Sequence, residues 1–260
     1  MTISKDLDKS KVEYKVIGTR PIRHDGTDKV TGRALYGADY YPTGLIYGKV
    51  LRSPHAHANI KSIDTSKAEK LEGVFSIVTG NDLADAVDDD DLKYLRNNIL
   101  AADKALYQGH AIAAVAAVDI HVAEEALSLI DVEYEELEPV LTVQQAMPKT
   151  APLLHPELVT EELGEKTTTK SNVANHYQHK LGDIEAGFNK ADYIVEREFN
   201  TETVHQGYIE PHNSTAFWNN DGKLNIWCST QGAFNLRDSV AKILGIEVSA
   251  IKVTPLEIGG

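Results

Sequence analysis

Cysteine is almost absent: Cys228 is the only one in 260 residues. A lone thiol closes no internal disulfide and cannot by itself hold an iron–sulfur cluster, which takes about four cysteines. Any electron-transfer cluster that works with this chain must therefore sit on another polypeptide. No run approaches the roughly 18 consecutive apolar residues of a membrane span, and the opening "MTISKDLDKSKV" lacks the apolar centre of a signal peptide. Positive charge is short too. Against 39 Asp and Glu there are 26 Lys and Arg, a formal net charge of -13, whereas binding a phosphate backbone or an anionic membrane needs clustered cations. Nucleic acid and membrane are thus not expected partners, and glycine-rich loops of the nucleotide-binding kinds are missing. A reducing, cytoplasmic setting is the simplest reading, with Cys228 a small buried hydrophobe in "LNIWCST".

What is present is a globular composition, 42% hydrophobic and 25% charged, at a length that accommodates two ordinary domains. Residues 1–13 read as a loose polar arm. Residues 14–143 mix strands ("LIYGKVLRS", "ANIKSID", "VFSIVTG", "HAIAAVAAV", "DVEYEEL") with helices ("SKAEKLEG", "HVAEEALSLI"), an α+β pattern. The strand, helix, strand order of the last three predicts a minimal βαβ unit. The acidic run Asp88 to Asp91 reads as a solvated loop, with a cation site as the alternative. Across 144–181 apolar periodicity fades into Pro148, Pro152, Pro156 and a Lys/Thr run, which reads as an interdomain linker. In 182–260, "ADYIVEREFNTE" alternates as a strand, "STAFWNNDGKLNIWCST" is a hairpin, and "FNLRDSVAKILG" is an amphipathic helix. Its apolar stripe is Phe234, Val240, Ile243 and Leu244, and Gly245 stops it.

The end, "IKVTPLEIGG", is a strand bounded by Pro255 and followed by Gly259 and Gly260. Glycine after a strand marks a tight turn or a backbone passing close to something else, so the pair is either a frayed tail or half of a loop. Gln231 offers a neutral donor and acceptor between a strand and a helix N-terminus; it is either a binding residue or an ordinary polar residue opening a helix. His205, Glu210 and His212 have residue types that can ligate zinc, as do His55 and His57, which are two apart on an expected strand. Packing and hydrogen-bonding roles compete with that reading for both groups.

Taken in order, "IGTRPIRHDGTDKVTGRALYGADY", "GKVLRSPHAHANIKSID", "GVFSIVTGNDL", "LYQGHAIAAVAAVD", "AEEALSLIDVEYEELEPVL", "GDIEAGFNKADYIVEREFNTETVHQGYIEPHNSTAFW" and "CSTQGAFNLRDSVAKILGI" resemble the large, molybdenum-binding subunit of the xanthine dehydrogenase and aldehyde oxidase family. The resemblance implies an α+β fold, an a/b hammerhead domain over 14–143 followed at 182–260 by the beginning of a molybdopterin-binding domain. It implies hydroxylation of an aldehyde or N-heterocycle with water as the oxygen source. Molybdenum would be held on molybdopterin, in the cytosine dinucleotide form for a bacterial source, with Fe-S clusters and FAD on partner chains.

On this resemblance Gln231 orients a ligand of the molybdenum without binding the metal. Gly232, Gly259 and Gly260 approach the pterin and dinucleotide phosphates through the backbone, Glu210 buttresses the site wall, and Phe234 packs in the core. Gly259 and Gly260 would open a glycine-rich loop continued on polypeptide outside this chain. The chain would then be inactive alone and need the C-terminal remainder of the subunit, an Fe-S subunit and a FAD subunit. No catalytic residue and no metal ligand is expected among these residues. The competing reading is a non-catalytic scaffold of such a complex, with no bound metal.

Overall fold

The computed structural model describes residues 14–83 and 90–260. The expected polar arm, 1–13, and Asp88 and Asp89 of the acidic run lie outside the described residues. In chain order the elements are α1 (Gly26–Thr31), β1 (Tyr47–Arg52), β2 (Ala58–Asp64), β3 (Val74–Thr79), α2 (Asp90–Ile99), β4 (Lys104–Ala105), β5 (Ala111–Ala117), α3 (Ile120–Ser128), β6 (Asp131–Glu136) and α4 (Val143–Ala146). They continue as β7 (Val159–Glu162), β8 (Glu165–Lys170), β9 (Asn175–His176), α5 (Ile184–Lys190), β10 (Ser214–Trp218), β11 (Leu224–Ser229), α6 (Ala233–Leu244) and β12 (Ile251–Leu256). Helices and strands mixed in this way make an α+β fold. Among the described residues no helix is long and apolar enough to cross a membrane.

The chain divides into two units. Among the described residues, one comprises those of 42–207 and 237–248; the other takes up 14–41, 208–236 and 249–260. The larger unit holds two three-stranded sheets, β1-β5-β3 and β4-β2-β6, antiparallel throughout. Its core is built on small residues. Ala113, Val115 and Ala117 of β5 meet Ala68, Ala123, Ala126 and Ile130, so α3 lies close against the sheet with side chains of few atoms filling the space. Ile112, next in alternation, points into a second cluster with Ala101 and Ala105. At the start of α3 the Asp119 carboxylate accepts from the N–H groups of His121 and Val122, 2.9 Å each. That satisfies two of the four donors a helix N-terminus leaves open.

Two expectations for this unit change. β5, α3 and β6 are not a parallel βαβ unit, because β6 pairs antiparallel with β2 in the other sheet. Periodicity identified each element correctly but carries no information on which strand pairs with which. Residues 144–181, read as a linker, carry the small sheet β8-β7-β9. Its ties are polar: Thr160 Oγ1 and Ser171 Oγ lie 2.8 Å apart, Thr167 Oγ1 donates to the Thr160 carbonyl, and Asn172 Nδ2 donates to the carbonyls of Ala146 and Pro152. A sheet held by Thr, Ser and Asn gives no apolar alternation to detect.

The smaller unit contains β10-β11-β12. β10 and β11 are the expected hairpin, Ser214 opposite Cys228. β12 runs parallel to β11, Ser229 opposite Leu256, and α6 lies between them in sequence, so β11-α6-β12 is a parallel crossover; the short β7 and β9 of the small sheet also pair in parallel. Leu224, Ile226 and Cys228 alternate inward on β11. Trp227, on its other face, stacks on Tyr40 with centroids 4.5 Å apart. Burial pushes the Cys228 thiol up in pKa, which suits an inert small hydrophobe. Gly245, at φ +65, ends α6 as expected.

Candidate cofactor-binding site

Because β11 and β12 are parallel and in register, their carboxyl ends lie side by side. In open sheets ligands bind beyond the carboxyl ends of parallel strands, where the next loops diverge. Thr230, Gln231 and Gly232 follow β11 and lead into the twelve-residue helix α6; Glu257 to Gly260 follow β12. The Thr230 hydroxyl accepts from the Gly232 N–H at 3.1 Å, and the Gly232 carbonyl accepts the Leu236 N–H at 2.9 Å as the first bond of the helix. These bonds fix the backbone on both sides of Gln231 and leave its side chain exposed.

Glu210 ties the two strand ends together. Its carboxylate accepts from Ser229 Oγ at 2.8 Å, at the end of β11, and from the Gly259 N–H, beyond β12. The Gly259 N–H, opposed by partial burial and assisted by Ser229 and the Gly37 N–H, holds this carboxyl below the usual carboxylate range. With its folded pKa depressed, the tie is fully present above the ordinary carboxylate pKa and is lost as pH falls through the lowered value. Gly259 admits no side chain: a Cβ there would lie 2.7 Å from the Glu210 Cβ. Gly260 differs, since no atom lies within 4 Å of where its Cβ would be, and its carbonyl accepts from the Ile209 N–H at 2.7 Å.

The segment before Tyr40 closes on the same strand end. Glu257 N–H donates to the Leu35 carbonyl, Tyr36 bridges Glu257, and the Glu257 carboxylate receives Lys29 Nζ at 2.6 Å. Gly37 is buried with a Cβ position only 3.0 Å from the Asn213 Cβ. Sequence reasoning missed Ser229, Gly37 and Lys29 as supports of this corner, because each acts through backbone pairing or a partner far along the chain.

An exposed carboxamide beside a helix N-terminus offers a donor and an acceptor where backbone N–H groups converge. Gly259 serves differently from the expectation, since its N–H is given to Glu210. Phe234, expected in the core, is 73% exposed. It shares a helix face with buried Ala241, two turns on, but sits in the first turn of α6 beside Gln231.

The other candidates do not converge on a metal. Among the described residues no three His, Cys, Asp or Glu side chains are placed to share an ion. His212 Nδ1 lies 3.4 Å from the Tyr208 hydroxyl, and His205 Nδ1 accepts from the Gly207 N–H. His55 and His57 lie in a bend before β2, not on a strand. The His55 ring contacts Tyr134 and faces Glu136 at 3.5 Å; His57, 6% exposed, bonds the Glu138 carbonyl through Nδ1.

The family model for the aldehyde oxidase and xanthine dehydrogenase a/b hammerhead domain matches residues 31–138, and that for the molybdopterin cofactor-binding domain matches 165–260. The chain belongs to the aldehyde oxidase and xanthine dehydrogenase family. It is 34% identical over 239 residues to a probable xanthine dehydrogenase subunit of Bacillus subtilis, covering 92% of this chain and 30% of that protein. It is 30% identical over 253 residues to the nicotinate dehydrogenase large molybdopterin subunit of Eubacterium barkeri, covering 95% and 55% respectively. Among solved structures, CO dehydrogenase from Oligotropha carboxidovorans matches with a TM-score of 0.76 and 30% identity, over 94% of this chain and 31% of that one. The chain thus spans about a third to about half the length of these relatives. The corner formed by Glu210, Ser229, Gln231, Gly259 and Gly260 lies within the segment matched by the family's molybdopterin cofactor-binding model.

Proposed function

We propose that this chain contributes the hammerhead domain and the opening of the molybdopterin-binding domain to the large subunit of a cytoplasmic molybdenum hydroxylase. The observation that carries the reading is the pairing of the β11 and β12 carboxyl ends, with Gln231 and Gly232 leaving one, Gly259 and Gly260 the other, and Glu210 bonded to both. Gln231 would orient the molybdenum group through its carboxamide, Gly232 and Gly260 would let it approach the backbone, and Glu210 with Gly259 would hold the wall. When bound, molybdopterin supplies a two-electron oxidation with water as the oxygen source. We assign the cytosine dinucleotide form, and Fe-S and FAD partner subunits to carry electrons away, since one cysteine holds no cluster. The substrate class is an aldehyde or N-heterocycle, supported by the nicotinate and xanthine dehydrogenases among the relatives. Turnover requires the further polypeptide that makes up the rest of the relatives' length.

The test is the metal and pterin content of an assembly containing this chain and the rest of the large subunit, purified from a molybdate-replete host. Near-stoichiometric molybdenum with a pterin dinucleotide is expected. Loss of both from a fully assembled, folded sample would sink the proposal.

A further inference from the structure

Residues 191–207 have the sequence of a strand and no sheet to join. The "ADYIVEREFNTE" alternation predicts a strand; the stretch is irregular and pairs with none of the four sheets among the described residues. Its apolar side chains are exposed: Tyr193, Ile194, Val195 and Phe199 are 91%, 61%, 76% and 84% accessible, set among the charged Asp192, Glu196, Arg197, Glu198 and Glu202. Tyr193 and Val195 continue into an open apolar groove with Ile184 and Phe188 of α5. An exposed stretch of strand-like sequence with apolar side chains can pair with another strand.

We infer that residues 191–207 dock a strand from the rest of the large-subunit polypeptide, which covers Tyr193, Val195 and Phe199. The inference rests on the proposed function, in which this chain works as part of a larger subunit. Two observations select the occupant. The family's molybdopterin cofactor-binding model matches through this stretch, and the relatives carry up to about twice as much polypeptide again beyond the part matched. A second copy of this chain is a poor fit on charge. The stretch carries Asp192, Glu196, Glu198 and Glu202 against the single cation Arg197, so pairing it with its own copy brings two net-negative segments together, and like charges directly opposite destabilise a strand pair. The docked strand therefore presents a neutral or basic polar face.

The experiment uses the purified assembly of this chain with the rest of the large subunit. Amide hydrogen exchange is followed at 192–204, and p-benzoylphenylalanine in place of Phe199 is cross-linked and mapped by mass spectrometry. Exchange slowed about 100-fold or more relative to an unstructured segment, with cross-links to the rest of the large subunit, is expected. Fast exchange, or cross-links to a second copy or to another subunit, overturns the inference. Molybdenum measured on the same unmodified sample separates the two readings. Slow exchange without metal sinks the proposed function and leaves the docking strand; metal with fast exchange does the reverse.

Discussion

At Gly259 a single missing carbon carries the geometry of the candidate site. A Cβ there would lie 2.7 Å from the Glu210 Cβ and 3.0 Å from Oε2, and Glu210 is held from its other side by Ser229. The carboxylate cannot yield without breaking that bond. Gly259→Ala should therefore destabilise by about 1–3 kcal/mol, the range for overpacking in a fixed setting, whereas Gly260→Ala meets open space and should stay within about 0.5 kcal/mol. Denaturant unfolding of the two variants beside the parent checks the contrast; equal midpoints would mean that Glu210 moves freely. From the sequence, the two glycines looked equivalent, both read as backbone donors to a cofactor. What separates them is a glutamate 49 residues earlier in the chain, and no local pattern records that approach. The position of Gln231 between a strand and a helix was legible, because that place is a local property.

The elements show the same division between local and distant information. β1, β2, β3, β5, β6, α3 and the β10–β11 hairpin could be read from alternation and turn residues. The strand-helix-strand parallel pairing could not: the sequence pattern points to β5-α3-β6 and the pairing occurs at β11-α6-β12. One element-level consequence is testable by pH. His110, fully buried just before β5, takes the Leu106 N–H on Nδ1 at 3.2 Å and places Nε2 2.9 Å from the Asn97 carbonyl. A ring that accepts at Nδ1 and donates at Nε2 is neutral, and adding a proton would set two donors against each other. Burial lowers its pKa, against the raising effect of the Asn97 carbonyl. His155 is lowered too, by burial and then by Lys104. For both, the unfolded chain binds the proton first, so stability is flat above the ordinary histidine pKa of about 6.5 and falls as pH drops below it. The slope approaches about 1.4 kcal/mol per pH unit for each histidine that stays neutral. Unfolding free energies between about pH 7.5 and about pH 5 should show this decline, and His110→Gln should reduce it by one proton's share. An unchanged slope in that variant would mean that His110 protonates within the fold.

Over the whole molecule, the composition that argued against nucleic acid sets the response to salt. A net charge of -13 leaves many carboxylates without a cation, and compaction brings them together at a cost. Opposing this are surface pairs such as Lys49–Glu124 at 2.8 Å, Lys61–Glu135 at 2.7 Å and Lys67–Asp131 at 3.1 Å. Exposed pairs of this kind contribute about 0–1 kcal/mol each and are screened by the same ions. Raising ionic strength from about 10 mM to about 0.15 M shortens the Debye length from roughly 30 Å to roughly 8 Å. That shortening removes repulsion acting over tens of ångströms and leaves contacts near 3 Å largely in place. The long-range repulsion is therefore the larger loss, and Tm should rise with NaCl at a fixed pH. Chloride is the salt to use, because sulfate would raise Tm through stronger apolar burial whatever the charge. A Tm that falls with NaCl would mean that the paired charges outweigh the unpaired carboxylates.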